Sequence, residues 1–288
     1  MGNVEIRDGS PWWYLSPDIW VVPGSDPQGA PGVPVAGKPA FVWARLTNHA
    51  GFGIQNVQVD FFWAVPTPQI TRASANPIGT AFADLAPAGQ PGSEVEVLCL
   101  TPWPVVMVNG GHECLIAEAR YPGSSVPASL AVFDPPTYSE MAQKNLTVLA
   151  ASMMMMPLTI TIDGLPRQEK LSRLVVEVGG EVDERALRSL GLPELRPLDG
   201  AVEAGLRDWP ACLQEDEPTG DKKMELKVPR GGRAAVYLNI RAWEMRPEGY
   251  VLVNVLEFDG AGDRREPIGG CAFLVVHEEI ARQKEAIR

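Results

Sequence analysis

The chain has 288 residues, with 25 basic and 36 acidic side chains and a formal net charge of −11. This acidic balance argues against a nucleic-acid-binding protein, because neutralising phosphates requires a basic surface. Charged residues make up 21% of the chain and hydrophobic residues 45%, which is a globular composition. The length predicts two domains, and the 28 glycines and 27 prolines predict many turns between short elements.

The cysteines and the N-terminus bear on the cellular compartment. Four cysteines are too few for a disulfide framework, and their apolar surroundings predict buried thiols in strands. The sequence has no apolar run of the roughly 18 residues that a membrane span needs. Its first residues lack the basic start and apolar run of a secretory signal. We therefore expect a cytoplasmic protein, one exported without a cleaved signal, or an extracellular one whose signal has been removed.

The first half contains short strand-like runs separated by Gly, Pro, Asn and Asp. These runs cover residues 16–23, 39–48, 57–65, 78–85, 93–100 and 112–120. In the third run Val57, Val59, Phe61 and Trp63 share one face, whereas Gln58 and Asp60 share the other. Such alternation predicts a half-buried antiparallel strand. Many short strands with Gly/Pro turns predict a β-sandwich or a barrel.

Several of these segments share a set of strand and turn residues. They are Pro17, Asp18 and Ile19 in the first strand, Gly37, Asn48 and Gly51 around the second, and Leu85 and Gly89 at a hairpin turn. Together they resemble the CARDB type of bacterial immunoglobulin-like domain. The resemblance covers roughly residues 14–152, and it implies that the last strand is NLTVLAA (Asn145–Ala151). It also implies an immunoglobulin-like sandwich that serves adhesion, spacing or binding.

A long insert, Tyr121–Lys144, precedes that last strand. Loops longer than about 12–15 residues are uncommon and are often functional. We therefore regard the insert as a candidate partner contact, with a plain surface crossover as the alternative. The following MMMM (Met153–Met156) is interpreted as adaptable apolar filler at a domain junction, with a partner-binding patch or a metal site as the alternatives.

The second half repeats the strand pattern less regularly. Strand-like runs cover residues 157–164, 172–180, 224–242, 249–260 and 268–277. Between them, Val182–Leu192 reads as a short helix, with Asp183 as N-cap and Gly191 as its C-terminal stop. The polar Glu278–Arg288 favours a C-terminal helix.

The predicted fold is therefore all-β, with two immunoglobulin-like antiparallel β-sandwiches in tandem. The first occupies residues 1–152 and the second residues 157–277, with the Met-rich junction at 153–156 and a helical tail at 278–288. One short helix belongs to the second sandwich.

The sequence shows no catalytic constellation. It has no nucleophile elbow, no reactive Cys-x-x-Cys pair and no Gly-rich nucleotide loop. His112 and Cys114 lie two apart on one predicted strand, so both could reach one metal, with His49 as a third ligand. This spacing matches no zinc pattern, so we expect no cofactor and keep a metal-dependent enzyme built on these three residues as an alternative.

Aromatic residues form the most distinctive local feature. Trp12, Trp13 and Tyr14 precede the first strand, where they either plug the end of the sandwich or present an anchor for a partner or glycan. Trp103, and Tyr138 in the long insert, complete the candidate partner-binding set.

Taken together, these features predict a non-catalytic binding or structural component of a larger bacterial assembly. Its expected partners are other proteins, including further copies of itself. An exported adhesin or carbohydrate-binding module is the alternative.

Overall fold

A computed structural model describes residues 2–106, 114–151, 157–210, 212–214, 217–243, 245–260 and 266–281. Within these residues the fold is all-β, as predicted, with two β-sandwiches in tandem and a short helix in the second. The strands of the first half are β1 (Val4–Glu5), β2 (Ile19–Pro23), β3 (Pro39–Asn48), β4 (Ile54–Ala64), β5 (Asn76–Leu85), β6 (Glu94–Leu98), β7 (Trp103–Pro104), β8 (Cys114–Arg120) and β9 (Met141–Lys144). Those of the second half are β10 (Leu146–Ala150), β11 (Leu158–Asp163), β12 (Lys170–Val178), β13 (Arg196–Pro197), β14 (Val202–Arg207), β15 (Lys223–Val228), β16 (Arg233–Ala242), β17 (Gly249–Asp259) and β18 (Gly269–Val276), and the helix is α1 (Glu184–Ser189).

The first sandwich packs two antiparallel sheets face to face. In one sheet, β3 pairs with β1 and β2 on one side and with β6 and β7 on the other. The other sheet has the order β5-β4-β8-β9. The alternation predicted for β4 is confirmed for Val57, Val59 and Phe61, which are fully buried in the core between the sheets. Trp63 lies beyond a shift in strand register between Phe61 and Phe62, and it is only partly buried. A strand with one face in the core and one face outward requires this period of two.

The long insert covers the outer face of the second sheet. Val126 and Phe133 of the insert pack with Ile116 of β8 and with Ile70, forming a small core of their own. Arg72 and Arg120 neutralise the fully buried Glu118 on this face, and the Arg72 guanidinium lies over the Phe133 ring. The insert is therefore a packed third layer, and its last four residues form β9.

The two sandwiches are joined by one nearly continuous strand. β9 belongs to the first sandwich and β10, one residue later, pairs in parallel with β18 of the second. The segment expected to close the first sandwich thus opens the second, so the boundary lies at Asn145 and not after residue 152. An apolar strand can join either sheet, and only the tertiary pairing decides which. The predicted junction Met153–Met156 lies outside the described residues.

The second sandwich packs a sheet of order β10-β18-β17-β12-β15, with β13 beside β17, against a sheet of order β11-β16-β14. β17 and β18 are buried on both faces. Val251 and Val253 face the sandwich core, whereas Tyr250 and Leu252 face α1 and the N-terminal segment. Covering on both sides explains why these strands read as continuous apolar runs.

The helix forms where the sequence predicts it. The Asp183 side chain accepts hydrogen bonds from the backbone N–H groups of Arg185 and Ala186, at 2.7 Å and 3.4 Å. Gly191, with φ of 70°, ends it. Residues 278–281 are helical, and the rest of the predicted C-terminal helix lies outside the described residues. None of the described helices has the length and apolarity to cross a membrane.

Three of the four cysteines are buried, as predicted, at Cys99, Cys114 and Cys271. Cys212 differs, because it is exposed and lies outside any strand. Its acidic, turn-rich surroundings supply no apolar partner strand.

Candidate functional site

The two sandwiches are docked by backbone hydrogen bonds from a loop of the first, residues 65–71. The Pro66 carbonyl accepts from Thr161 N–H at 2.9 Å, and the Pro68 carbonyl accepts from Gly270 N–H at 3.0 Å. Lys170 Nζ donates to Gln69 Oε1 at 2.9 Å and pairs with the buried Glu257 at 2.7 Å. These bonds fix the relative orientation of the two sandwiches.

Asn145 binds both sandwiches at the point where the chain crosses between them. Its backbone N–H donates to the Tyr14 carbonyl at 2.9 Å, and its carbonyl accepts from Ala272 N–H at 2.8 Å. Its side-chain Nδ2 donates to the carbonyls of Gly270 at 2.9 Å and Thr67 at 3.3 Å. The connection is therefore a pinned strand, unlike the exposed Gly- or Pro-rich linkers that usually separate domains.

Tyr14 lies at the centre of this junction. It is fully buried, and its hydroxyl donates to Asn254 Oδ1 at 2.9 Å. Its ring packs so tightly on β18 that a Cβ at Gly270 would lie 2.2 Å from Tyr14 Cε1, so this position requires glycine. Burial raises the pKa of Tyr14 well above its ordinary value. Tyr14 was predicted as a possible partner anchor, and the structure makes it a bridge between the sandwiches.

Two other aromatic candidates are also structural. Trp103 is fully buried in the first core, where it leaves no surface for a partner, so the prediction of a contact there is wrong. Tyr138 is half-buried and packs on the small core beneath the insert. The exposed tryptophans are instead Trp209 and Trp243 in the second sandwich, 57% and 45% exposed, which the sequence did not single out.

Trp12 and Trp13 are half-buried and face a groove between the two sandwiches. A tight loop presents them, in which Gly9 N–H donates to the Trp13 carbonyl at 3.1 Å and Leu15 N–H to the Trp12 carbonyl at 2.9 Å. Gly9 is required here, because a Cβ would lie 2.2 Å from the Trp12 carbonyl oxygen. The Trp13 ring meets the Tyr14 ring edge-on, with centroids 5.6 Å apart. The loop therefore holds both indoles against the junction.

This junction groove has a volume of about 430 Å³, within the range of small-ligand and peptide pockets. Its lining comes from four separate segments of the chain. They are Pro11, Trp12, Trp13 and Tyr14; Gln69; Val132, Asp134 and Pro136; and Glu266, Pro267 and Ile268. The groove thus brings together the N-terminal aromatic cluster and the long insert, the two regions that the sequence marked as candidate contacts.

The groove is acidic. Among the lining residues that the structure describes, Asp134 and Glu266 carry charge and both are negative. Asp8 lies nearby, where burial, and then the charges of Glu5 and Asp134, raise its pKa from 3.8 to about 8. Asp8 is not among the lining residues, and its raised pKa keeps its carboxyl largely uncharged near neutral pH.

The alternative metal trio is not assembled. The imidazole of His49 bonds the Glu5 carboxylate at 2.6 Å in the turn before β4. Cys114 pairs with Ala64 at the opposite end of β4, about 33 Å away along an 11-residue strand. His112 lies outside the described residues. Within the described part of the chain, no three His, Cys, Asp or Glu residues cluster as metal ligands do.

The opposite flank of the junction contains a buried lysine. Lys144 Nζ donates to the Ile19 carbonyl at 2.9 Å and to Ser189 Oγ of α1 at 2.5 Å. Burial lowers its pKa from 10.5 to about 7. A neutral lysine beside a serine is the chemistry of a Ser–Lys nucleophile. Here, however, Ser189 Oγ donates its only proton to the Ala186 carbonyl, and the adjoining cavity of about 30 Å³ admits about one water.

The remaining groove residues gave no signal in the sequence. Gln69 and Pro267 lie between strands with no motif around them. Only the position of Val132, Asp134 and Pro136 inside an unusually long insert suggested a contact. Their convergence depends on the docking of the two sandwiches.

Comparison with known proteins identifies no family. No family model and no curated protein matches the chain, so its resemblance to CARDB domains stays a prediction. Among solved structures, it is similar to the CupB6 tip adhesin from Pseudomonas aeruginosa, with 10% identity, coverage of 95% of this chain and 97% of that one, and a TM-score of 0.25. It is also similar to the collagen adhesin of S. aureus, with 7% identity, coverage of 90% of this chain and 92% of that one, and a TM-score of 0.23.

A red sea bream transglutaminase is similar at 11% identity and a TM-score of 0.23. The alignment covers 90% of this chain but spans only 31% of the transglutaminase. TM-scores and identities of this size carry no argument about activity.

Proposed function

We propose that the protein is a non-catalytic binding component of a larger assembly, and that the junction groove is its binding site. The observation that carries this proposal is the convergence of four distant segments on one aromatic, acidic groove. Half-buried tryptophans at a concave junction have the character of interface anchors. The function is thus attributed to the pair of sandwiches together and to neither one alone.

The pinned junction supports this proposal energetically. Binding is weaker when loops or domains must be ordered at the moment of association, because that ordering costs free energy. In this protein the connecting strand, the 65–71 loop and Tyr14 already hold the groove walls in place. A partner would therefore meet a preorganised surface.

The proposal is tested by affinity purification from the native host, with the full chain as bait. We expect Trp13→Ala to lose specific partners that the wild-type chain retains. Trp243→Ala is the matched control, because it removes an exposed tryptophan that is not part of the groove lining. Thermal unfolding of each variant shows that the bait is folded. If the folded Trp13→Ala variant retains every partner that the wild-type chain retains, the groove is not the binding site.

A second candidate is a carbohydrate-binding module of an adhesin. Tryptophan rings beside carboxylates and the Gln69 amide also fit a sugar, whose hydroxyls bond both kinds of group. A glycan array probed with the wild-type chain and with Trp13→Ala tests it. Binding that disappears in the variant would favour this candidate, and an array without binding by the folded wild-type chain would exclude it for the glycans tested.

A further inference from the structure

We propose that the junction groove recognises a lysine or arginine side chain carried by an extended peptide segment of a protein partner. This inference rests on the proposed function and specifies the chemistry of its ligand.

The first observation concerns charge. Asp134 and Glu266 are the charged groups of the described lining, and within the described chain neither carboxylate takes part in a hydrogen bond or an ion pair. A basic side chain would supply the positive charge that the described lining of this wall lacks, and complementary charge of this kind selects partners.

The second observation is that Asp134 is held in place. Its backbone N–H donates to Met141 Sδ at 3.2 Å, and its carbonyl accepts from the N–H groups of Thr137 and Tyr138, both at 3.1 Å. The backbone of the carboxylate is therefore ordered before any ligand arrives. A preorganised acceptor loses little conformational entropy on binding.

The third observation distinguishes a cationic ligand from a sugar by the hydrogen bonds that each can make. A hydroxyl donates and accepts, whereas ammonium and guanidinium groups only donate. The lining carboxylates only accept, and the Oε1 of Gln69 is already bonded by Lys170. Gln69 Nε2 remains as a side-chain donor beside two carboxylates, so acceptors outnumber donors in the described lining and favour a donor-only ligand group.

The fourth observation is aromatic. The indole nitrogens of Trp12 and Trp13 are buried away from solvent, so ring carbons form the accessible part of their surface. Elsewhere in the chain, guanidinium groups lie over the rings of Trp20, Phe133, Phe258 and Trp209. Within the described residues Trp12 and Trp13 have no such cation. A ligand lysine or arginine could pack its apolar stem and its charge against them.

The test is selection from a random heptapeptide display library on the immobilised full-length chain. We expect the wild type to enrich peptides with lysine or arginine at a fixed position. The double variant Asp134→Asn, Glu266→Gln keeps the shape of the wall but removes both charges, and we expect it to lose that enrichment. Trp243→Ala is the matched control and should select the same peptides as the wild type.

The best peptide is then compared by calorimetry with its citrulline counterpart, which is isosteric with arginine but neutral. We expect citrulline to weaken binding about tenfold, because hydrogen bonds to charged groups exceed neutral ones by about that factor. The affinity of the arginine peptide should also fall with added salt.

Several outcomes would overturn the inference. They are selection of no peptide, selection without basic residues, equal binding of arginine and citrulline peptides, or unchanged selection by the folded double variant. Groove-dependent binding to a glycan array in place of peptides would overturn it as well. If basic selection fails while Trp13→Ala still loses native partners, the proposed function stands and only the ligand class is wrong.

Discussion

Each flank of the domain junction buries one titratable group, an acid on one flank and a base on the other, and burial favours the neutral form of both. On the groove flank, burial raises the pKa of Asp8 to about 8, which favours the neutral carboxylic acid. The opposite flank adjoins only the cavity of about 30 Å³ and is called the closed flank. There, burial lowers the pKa of Lys144 to about 7, which favours the neutral amine. Desolvation penalises the charged form whatever its sign. The comparison shows that one interface can respond to pH in two opposite directions.

The largest expected effect is a change in the pH dependence of stability when Lys144 of the closed flank is replaced. Between about pH 7 and 10.5 the unfolded chain binds a proton at Lys144 that the folded chain does not, so this residue makes the unfolding free energy rise with pH. In Lys144→Met we expect that contribution, on the order of 5 kcal/mol across the window, to be absent. Urea unfolding of wild type and variant at half-unit pH intervals measures it. An identical pH slope in both proteins would contradict a desolvated amine at this position.

The next effect is a loss of stability when the packing of Tyr14 between the two flanks is disrupted. Gly270→Val would place side-chain atoms where the Tyr14 ring lies, and overpacking of this kind should cost about 3 kcal/mol of unfolding free energy. The matched control is Gly51→Ala, where a Cβ would meet nothing within 4 Å. Denaturant unfolding of both variants measures the difference. Equal stability of the two would mean that Tyr14 does not pack on β18.

A smaller effect isolates the groove flank. Asp8 makes the unfolding free energy fall as pH rises from 3.8 to about 8, because the folded chain keeps a proton that the unfolded chain releases. In Asp8→Asn we expect this contribution to disappear, and solvent screening of the half-buried carboxyl reduces it to on the order of 2 kcal/mol. Thermal unfolding between pH 4 and 8 reports it. A wild type whose stability rises relative to the variant over this range would reverse the assigned sign.

The smallest effect concerns the residue that both flanks share. Tyr14→Phe keeps the ring against Gly270 and removes only the hydroxyl that bonds Asn254. Loss of this buried bond should cost about 1 kcal/mol. Asn254 Nδ2 already has no partner within the described residues, so the variant leaves the whole side chain unsatisfied. A cost near zero would show that the hydroxyl is replaceable by water.

The faces of the strands could be predicted because they depend on local alternation. Val57, Val59 and Phe61 were expected inside, and the helix cap at Asp183 was expected where it forms. The domain boundary could not be predicted, because the apolar pattern of β10 suits either sheet. Trp103 was misjudged for a similar reason, since nothing local distinguishes a tryptophan in a core from one on a surface.

The candidate site was predicted only in part. Trp12 and Trp13 were selected as aromatic residues outside the strands, and both line the groove. Gln69, Val132 and Glu266 could not have been joined to them, since almost 200 residues separate Glu266 from Gln69 in the chain.

The sequence by itself determined the all-β class, the inward and outward faces of the strands, and the turns that separate them, because each follows from residues within a few positions of one another. The abundance of glycine and proline provides those turns, and the charge of −11 is spread over both halves. The tertiary structure decided where one sandwich ends, which tryptophans face a groove, and which carboxylates stand beside them. Those features depend on contacts such as Tyr14 with Gly270, which form only when two sheets far apart in sequence dock.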